Sequence, residues 1–425
     1  MQKSYGRVGI FFDGFLAFIN LAFKGGLLAG LMITVNHPVA AQEYGVTDKT
    51  IVIGGVMDLE GASSGLGQGM KAGIDAAFKN EKIQNRDIEF VTLNDSYKPE
   101  LTVEAVRQLI DRGIFLMLGN VGTPTARVAL PILAENKVPA VGFFTGAGLL
   151  RPGVGDVVNY RASYAQEIAS LITAAVAAGV KPAEVCALVQ NDAYGMAGVE
   201  GLKAALEDKA EAESTISQLE QILNMEGDEP ARNGLGPVGV YRRNTLYAKE
   251  GYQSLKKWED SSGSPCRLVV TVGTYVPVAN FIGYARYKNE NWVFSAVSFT
   301  GAESFRQELI KYGVTDKILM TQVVPALDSE LPIVQAARKA LGEKLDYVSL
   351  EGYIAGKMVL QIMNEINGDL TRDNFLQAVR DNQFDLGGLK LDFTNDNQAS
   401  DFVLLTDLQG EKYNVIDPDY LQQLF

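Results

Sequence analysis

Asp58 and Glu60 stand two residues apart at the end of an apolar run, and the turn they open carries Gly61, Gly65, Gly67 and Gly69. Paired carboxylates can pass a proton, and a glycine-rich turn between strand and helix can cradle a pyrophosphate, with Asp95 further along for a ribose. The spacing argues against the cofactor: Gly65-x-Gly67-x-Gly69 is not G-x-G-x-x-G, the loop is long, and two acids at its mouth oppose a diphosphate. For proton transfer, solvated loop acids are the commoner reading of such a pair. Other catalytic chemistries lack their residues. The one histidine, His37, lies in a stretch read below as a leader, so the mature chain keeps no imidazole base or metal ligand. No G-x-S-x-G elbow occurs. Cys186 and Cys266 sit in or beside apolar runs on separate expected strands and read as buried, unpaired residues, although an exported protein is free to bridge them. No enzyme, no metal and no cofactor is expected.

Binding chemistry is better served. Gly119-Asn120-Val121-Gly122-Thr123-Pro124-Thr125 follows an apolar run, with Pro124 suited to a first helical turn and Thr123 to its cap. Amides and hydroxyls at such a start hold carboxylates and other anions. A second start of this kind is expected at Gly142-Phe143-Phe144-Thr145-Gly146-Ala147-Gly148. In a parallel sheet both turns lie at the carboxyl edge of adjacent strands, where ligands bind. Three further polar turns take the same topological place in the second half: Gln190 to Gly195, Gly273 to Pro277 and Phe299 to Glu303. Together they describe two facing rims.

The elements behind those turns alternate. Strand-like runs fall at residues 51–57, 88–93, 115–118, 138–141, 185–190, 268–272, 293–298 and 318–323. Amphipathic helical patterns lie between them, at 69–78, 101–111, 125–135, 165–178, 199–207 and 278–286. Strand and helix at this spacing mean parallel sheets wrapped by helices. The fold class is α/β, with two doubly wound Rossmann-like lobes, because 425 residues exceed one core and two sets of strands fit two sheets better than one wide one. Residues 211–244 read as an exposed loop before a short strand at 238–242. Helices at 349–364 and 371–380, and short strands with a Gly387-Gly388 turn, complete the chain.

The first forty residues behave differently. Lys3 and Arg7 precede apolar residues, an uncharged run spans 25–35, and Val39-Ala40-Ala41 puts small residues where signal peptidase reads them. A signal peptide over 1–41 is expected; Asp13 and Lys24 break the stretch below the roughly 20 residues a membrane span needs. No cysteine lies near the cut, so a lipid anchor is not expected and the protein would be free in a periplasm. The leader carries Lys3, Arg7, Lys24 and Asp13, so its loss deepens the net charge by two from −13. So acidic a surface excludes nucleic acid as a partner.

From about Thr47 to Leu408 the sequence resembles the type I periplasmic solute-binding proteins of ABC importers, in the branched-chain amino acid (leucine/isoleucine/valine-binding) group. Besides the turns above, the resemblance rests on Asn94-Asp95-Ser96-Tyr97-Lys98-Pro99, Asn159-Tyr160-Arg161-Ala162-Ser163-Tyr164, Tyr241-Arg242-Arg243-Asn244-Thr245 and Leu350-Glu351-Gly352-Tyr353. It implies two lobes with a three-crossover hinge, residues 46–162 plus 325–398 and residues 163–324 plus 399–425, closing over a solute. It implies that Thr123, the Thr125 amide, Thr145 and the turn at Gly146 hold a ligand's carboxylate. Tyr194 falls on the second-lobe aromatic position and Glu303 on the carboxylate that meets an ammonium. Phe143, Phe144, Tyr194, Tyr275 and Phe299 are candidates for lining the cleft, so a flat or aromatic ligand also fits. The implied partner of this monomer is an ABC permease; docking on a membrane receptor kinase or chemoreceptor, as a sensor, is the alternative.

Overall fold

In the computed structural model residues 44–227 and 229–425 are described, and the expected leader, with its cut after Ala41, lies outside them. The first sheet is built from β1 (Thr50–Met57), β2 (Lys82–Ile83), β3 (Arg86–Asn94), β4 (Met117–Leu118), β5 (Ala140–Val141) and β6 (Val157–Val158), in the order β2-β3-β1-β4-β5-β6. All pairs are parallel except β2 with β3. Helices α1 (Ser64–Phe78), α2 (Pro99–Arg112) and α3 (Thr123–Glu135) connect them. The chain then enters α4 (Tyr164–Ala177) through a capping box, in which Ser163 and Gln166 satisfy each other's amides.

The second lobe runs β7 (Val185–Gln190), α5 (Ala193–Leu206), α6 (Glu213–Leu223), β8 (Val238–Tyr241), α7 (Lys249–Ser262), β9 (Leu268–Val272), α8 (Tyr275–Tyr287), β10 (Val293–Ala296), α9 (Ala302–Lys311) and β11 (Ile318–Gln322). β7, β8, β9, β10 and β11 are buried along their length, as expected for strands covered on both faces. The chain next returns to the first lobe as α10 (Pro332–Leu341), α11 (Tyr347–Asn364), α12 (Arg372–Val379) and a hairpin, β12 (Gln383–Asp385) with β13 (Lys390–Asp392). It ends in β14 (Leu404–Gln409) and β15 (Lys412–Val415), which extend the second sheet antiparallel, in the order β15-β14-β11-β10-β9-β7-β8.

Three stretches thus pass between the sheets, and they are tied to one another. Residues 397–399 exchange backbone hydrogen bonds with Asn159, and the Tyr160 hydroxyl donates to the Val323 carbonyl at 3.1 Å. α11 crosses α1 at glycine: a Cβ on Gly356 would lie 2.6 Å from that of Ala77, and Gly73 and Gly352 meet opposing backbone. Among the described residues no helix is long and apolar enough to cross a membrane, and no three His, Cys, Asp or Glu gather as a metal site.

Three local expectations are corrected. The expected loop at 211–244 contains α6, whose Thr215, Leu219 and Ile222 are spaced to bury one face. The turn at Gly142 to Gly148 starts no α-helix; the chain makes only a short 3-10 turn, Gly148–Leu150. The cysteines are paired, Cys186 with Cys266, at a Cα separation of 5.7 Å. β7 and β9 are parallel neighbours; Cys186 lies at the start of β7 and Cys266 just before β9 begins, so the bridge joins two adjacent strand entries.

Candidate functional site

Two first-lobe turns are laced together behind the site. The Gly122 amide donates to Phe144 O and the Phe144 amide to Asn120 O, at 3.2 and 2.8 Å. Gly122, at φ 110°, precedes α3 in a conformation suited to glycine, and a Cβ there would lie 2.8 Å from Thr125 Oγ1. Thr123 is therefore the first helical residue and not the expected cap. Its hydroxyl shares a hydrogen bond with Thr145 at 2.7 Å, and Thr145 shares another with Tyr164 at 3.2 Å. Thr125 turns its hydroxyl back onto Val121 O and Gly122 O, at 2.6 and 2.9 Å, while the amides of this first turn lack intrahelical acceptors. Gly146 makes room for Tyr164: a Cβ there would sit 2.7 Å from its ring. Burial pushes the Tyr164 phenol up to about 12, which keeps it a neutral donor.

The second lobe answers with aromatic rings. Phe299 is fully buried and meets Tyr194 at 4.7 Å, Phe144 at 5.2 Å and Tyr97 at 6.3 Å between centroids, while Tyr164 lies 5.4 Å from Tyr194. The Tyr194 hydroxyl donates to Gly273 O at 3.4 Å, and Asp192 caps α5 by accepting from the Tyr194 amide. Hydrogen bonds cross between lobes as well. Gln190 Nε2 donates to the Tyr97 hydroxyl at 3.1 Å, and the Gly65 amide donates to the Tyr275 hydroxyl at 3.2 Å. Thr123, Thr145, Phe144, Gly146 and Tyr194 thus gather at one place. Thr125 stands behind them and Tyr275 spans the mouth.

Glu303 does not join them. β10 ends at Ala296 and a 3-10 turn, Ser298–Thr300, carries Phe299 inward, which leaves Glu303 in the first turn of α9. There it is held by Arg306, at 2.6 and 3.0 Å, and by Gln307 at 2.7 Å. Those hydrogen bonds from Arg306 hold its carboxyl below the usual range. It opens on a separate cavity of about 850 Å³, shared with Asp328, Asp346 and Tyr413.

The profile of the periplasmic binding protein family matches residues 50–211. A possible leucine/isoleucine/valine-binding protein from Rhodopirellula baltica SH 1 superposes with a TM-score of 0.78 at 34% identity, over 90% of this chain and 99% of that one. The chain belongs to the type I periplasmic binding proteins. The expected fold and the resemblance to the leucine/isoleucine/valine-binding group both hold. Two solved structures share the fold at lower identity. A substrate-binding periplasmic protein from Ralstonia solanacearum has a TM-score of 0.69 at 23% identity, covering 86% of this chain and 99% of that one. A branched chain amino acid ABC transporter protein from Thermus thermophilus, with bound valine, has 0.69 at 17%, covering 88% and 96%. No protein of curated function matches the chain.

Several residues of this binding protein's site escaped the residue-by-residue reading of the sequence. Tyr97 appeared only within a motif, yet it holds φ 57°, rare for a bulky residue, fixed by Asp95 accepting from its amide at 2.9 Å. Burial raises Asp95 itself to about 6. A second omission is the ion cluster under the rings. Arg161, 1% exposed, pairs with Glu167 at 3.0 Å and with Glu351 at 3.4 Å. Glu167 also accepts from the Ser298 amide and hydroxyl and from Thr321, and Arg161 touches Ser298 Oγ. Burial alone would lower the Arg161 pKa, but Glu351 and Glu167 carry it above its ordinary value. Glu167 is six residues along the chain from Arg161, but Glu351 is brought to it only by the fold and leaves no local sequence signal.

Proposed function

We propose that the protein is an exported receptor that closes its two lobes over a small polar or carboxylate-bearing metabolite, an amino acid or an aromatic or amide-like compound. It delivers the closed complex to an ABC permease. The carrying observation is the meeting of Thr123, Thr145 and Tyr164 with rings from both lobes at the carboxyl edges of both sheets. Hydroxyls and helix-start amides suit the ligand's polar end, and the rings its apolar body. Export, a periplasmic location without a lipid anchor, a monomeric state and a permease partner rest on the leader reading and on the family. The hinge reading, residues 46–162 with 325–398 against residues 163–324 with 399–425, is supported by the bonds that tie the three connecting stretches at Asn159 and Tyr160.

Titration calorimetry with a metabolite found by thermal-shift screening tests the reading. Thr123→Ala combined with Thr145→Ala should weaken binding by roughly 1–3 kcal/mol for each donor lost, with the melting transition still cooperative. Unchanged affinity removes these turns from the site.

A further inference from the structure

The three stretches that connect the lobes meet around one guanidinium. Arg161 follows Asn159 and Tyr160, which bind residues 397–399 and Val323, and its own carbonyl accepts from Arg151 Nη2 at 2.7 Å. Arg151 in turn donates to Gln398 in the third stretch. From this pivot the Arg161 side chain reaches an acid on either side: Glu167 near the start of α4, at 3.0 Å, and Glu351 on α11 of the first lobe, at 3.4 Å.

The two acids are held unequally. Glu167 accepts from Arg161, from the Ser298 amide and hydroxyl at 2.8 and 2.9 Å, and from Thr321, the last three on the second lobe's side. Glu351 is 3% exposed and makes no hydrogen bond among the described residues; its ionic partner is Arg161 Nη1, which makes none either. Burial favours the neutral form of Glu351; Arg161 and Arg151 oppose that and Glu167 adds to it. The nearby phenols of Tyr160 and Tyr164 are kept neutral by burial. α1, packed on α11, meets this part of it with the Met70 backbone and Gly73, which bring no charge. A carboxyl so enclosed and so weakly bonded keeps its proton, whereas one that water reaches gives it up.

We propose that closure of the lobes is coupled to proton uptake, with Arg161 as the latch between them and Glu351 as the group that takes the proton when the latch shuts. This rests on the hinge of the receptor reading and adds a regulator to it. Parting the lobes draws Ser298 and Glu167 away from the pivot and lets water reach Glu351, which then ionises. The closed form holds this proton more tightly, so the closed-to-open ratio rises as pH falls through about 7 toward the ordinary carboxylate range. One linked proton limits the rise to about tenfold for each pH unit. Small-angle X-ray scattering of the mature, ligand-free protein between pH 5 and pH 8 reads the ratio. The radius of gyration should shrink on acidification. Glu351→Gln, neutral at every pH, should be as compact at pH 8 as the parent is at pH 5. A parent radius independent of pH overturns the proposal whether or not the variant folds. A pH dependence that persists undiminished in Glu351→Gln also overturns it and moves the effect to another acid, Asp95 being the first to replace. Failure of the receptor reading is seen separately, in a broad metabolite library that leaves melting unchanged.

Discussion

Glu351 shows how much one buried carboxyl can contribute to pH dependence. Burial outweighs the attraction of Arg161 and raises it to about 7, against an ordinary 4.5. The folded state therefore holds this proton more tightly than the unfolded chain. Its stabilising contribution is present below the unfolded pKa and is lost as pH rises through about 7, a change of order 3 kcal/mol at about 1.4 kcal/mol per pKa unit. Glu351→Gln should flatten the fall in stability between pH 5 and pH 8. The melting-temperature difference, variant minus parent, should be more positive at pH 8 than at pH 5. Asp95, raised to about 6, loses stability in an overlapping window, so the slope shrinks without vanishing. Parallel pH profiles would show that Glu351 is not protonated in the native state near neutrality.

Among the elements, the second sheet carries the covalent tie. Cys186 and Cys266 are 80 residues apart in sequence and join β7 to the entry of β9, closing β8 and α7 within one loop. A loop of that length lets the bridge restrict the unfolded chain substantially. Replacing both cysteines by serine should cost about 2–4 kcal/mol, read from urea unfolding of the purified variant. A midpoint equal to that of the oxidised parent would mean the bridge adds nothing. In the other lobe the corresponding tie is non-covalent. Gly73, Gly352 and Gly356 let α1 and α11 approach to backbone contact, so the Leu350-Glu351-Gly352-Tyr353 motif serves packing at Gly352 and the ion cluster at Glu351.

For the whole molecule, the proposed closure would draw on contacts that cross between the lobes. The Gly65 amide reaches the Tyr275 hydroxyl, Gln190 reaches Tyr97, and Phe144 faces Phe299. Tyr275→Phe deletes one neutral hydrogen bond that crosses between the lobes. Ligand affinity should weaken roughly 2- to 10-fold, mainly through faster release. Stopped-flow dissociation checks this, and an unchanged off-rate would mean the Tyr275 bond plays no part in holding the lobes shut. Domain closure of this kind also predicts a smaller radius of gyration when ligand is added, measurable by X-ray scattering.

The sequence by itself determined the alternation of strand and helix, the two-lobed α/β class and the turns at the sheet edges, because periodicity, glycine and proline act over a few residues. Thr123, Thr145, Phe144 and Tyr194 were legible for that reason: each sits in a turn directly after an apolar run. Only the tertiary structure decided what those turns meet. It set Phe299 inward and Glu303 toward Arg306, since the end of β10 and the 3-10 turn after it fix the phase of α9. It brought Cys186 beside Cys266 and Arg161 between Glu167 and Glu351, pairs whose separations along the chain exceed any local pattern except in Arg161 with Glu167. Strand order and lobe closure create such neighbours, and neither is encoded in the short-range spacing of side chains.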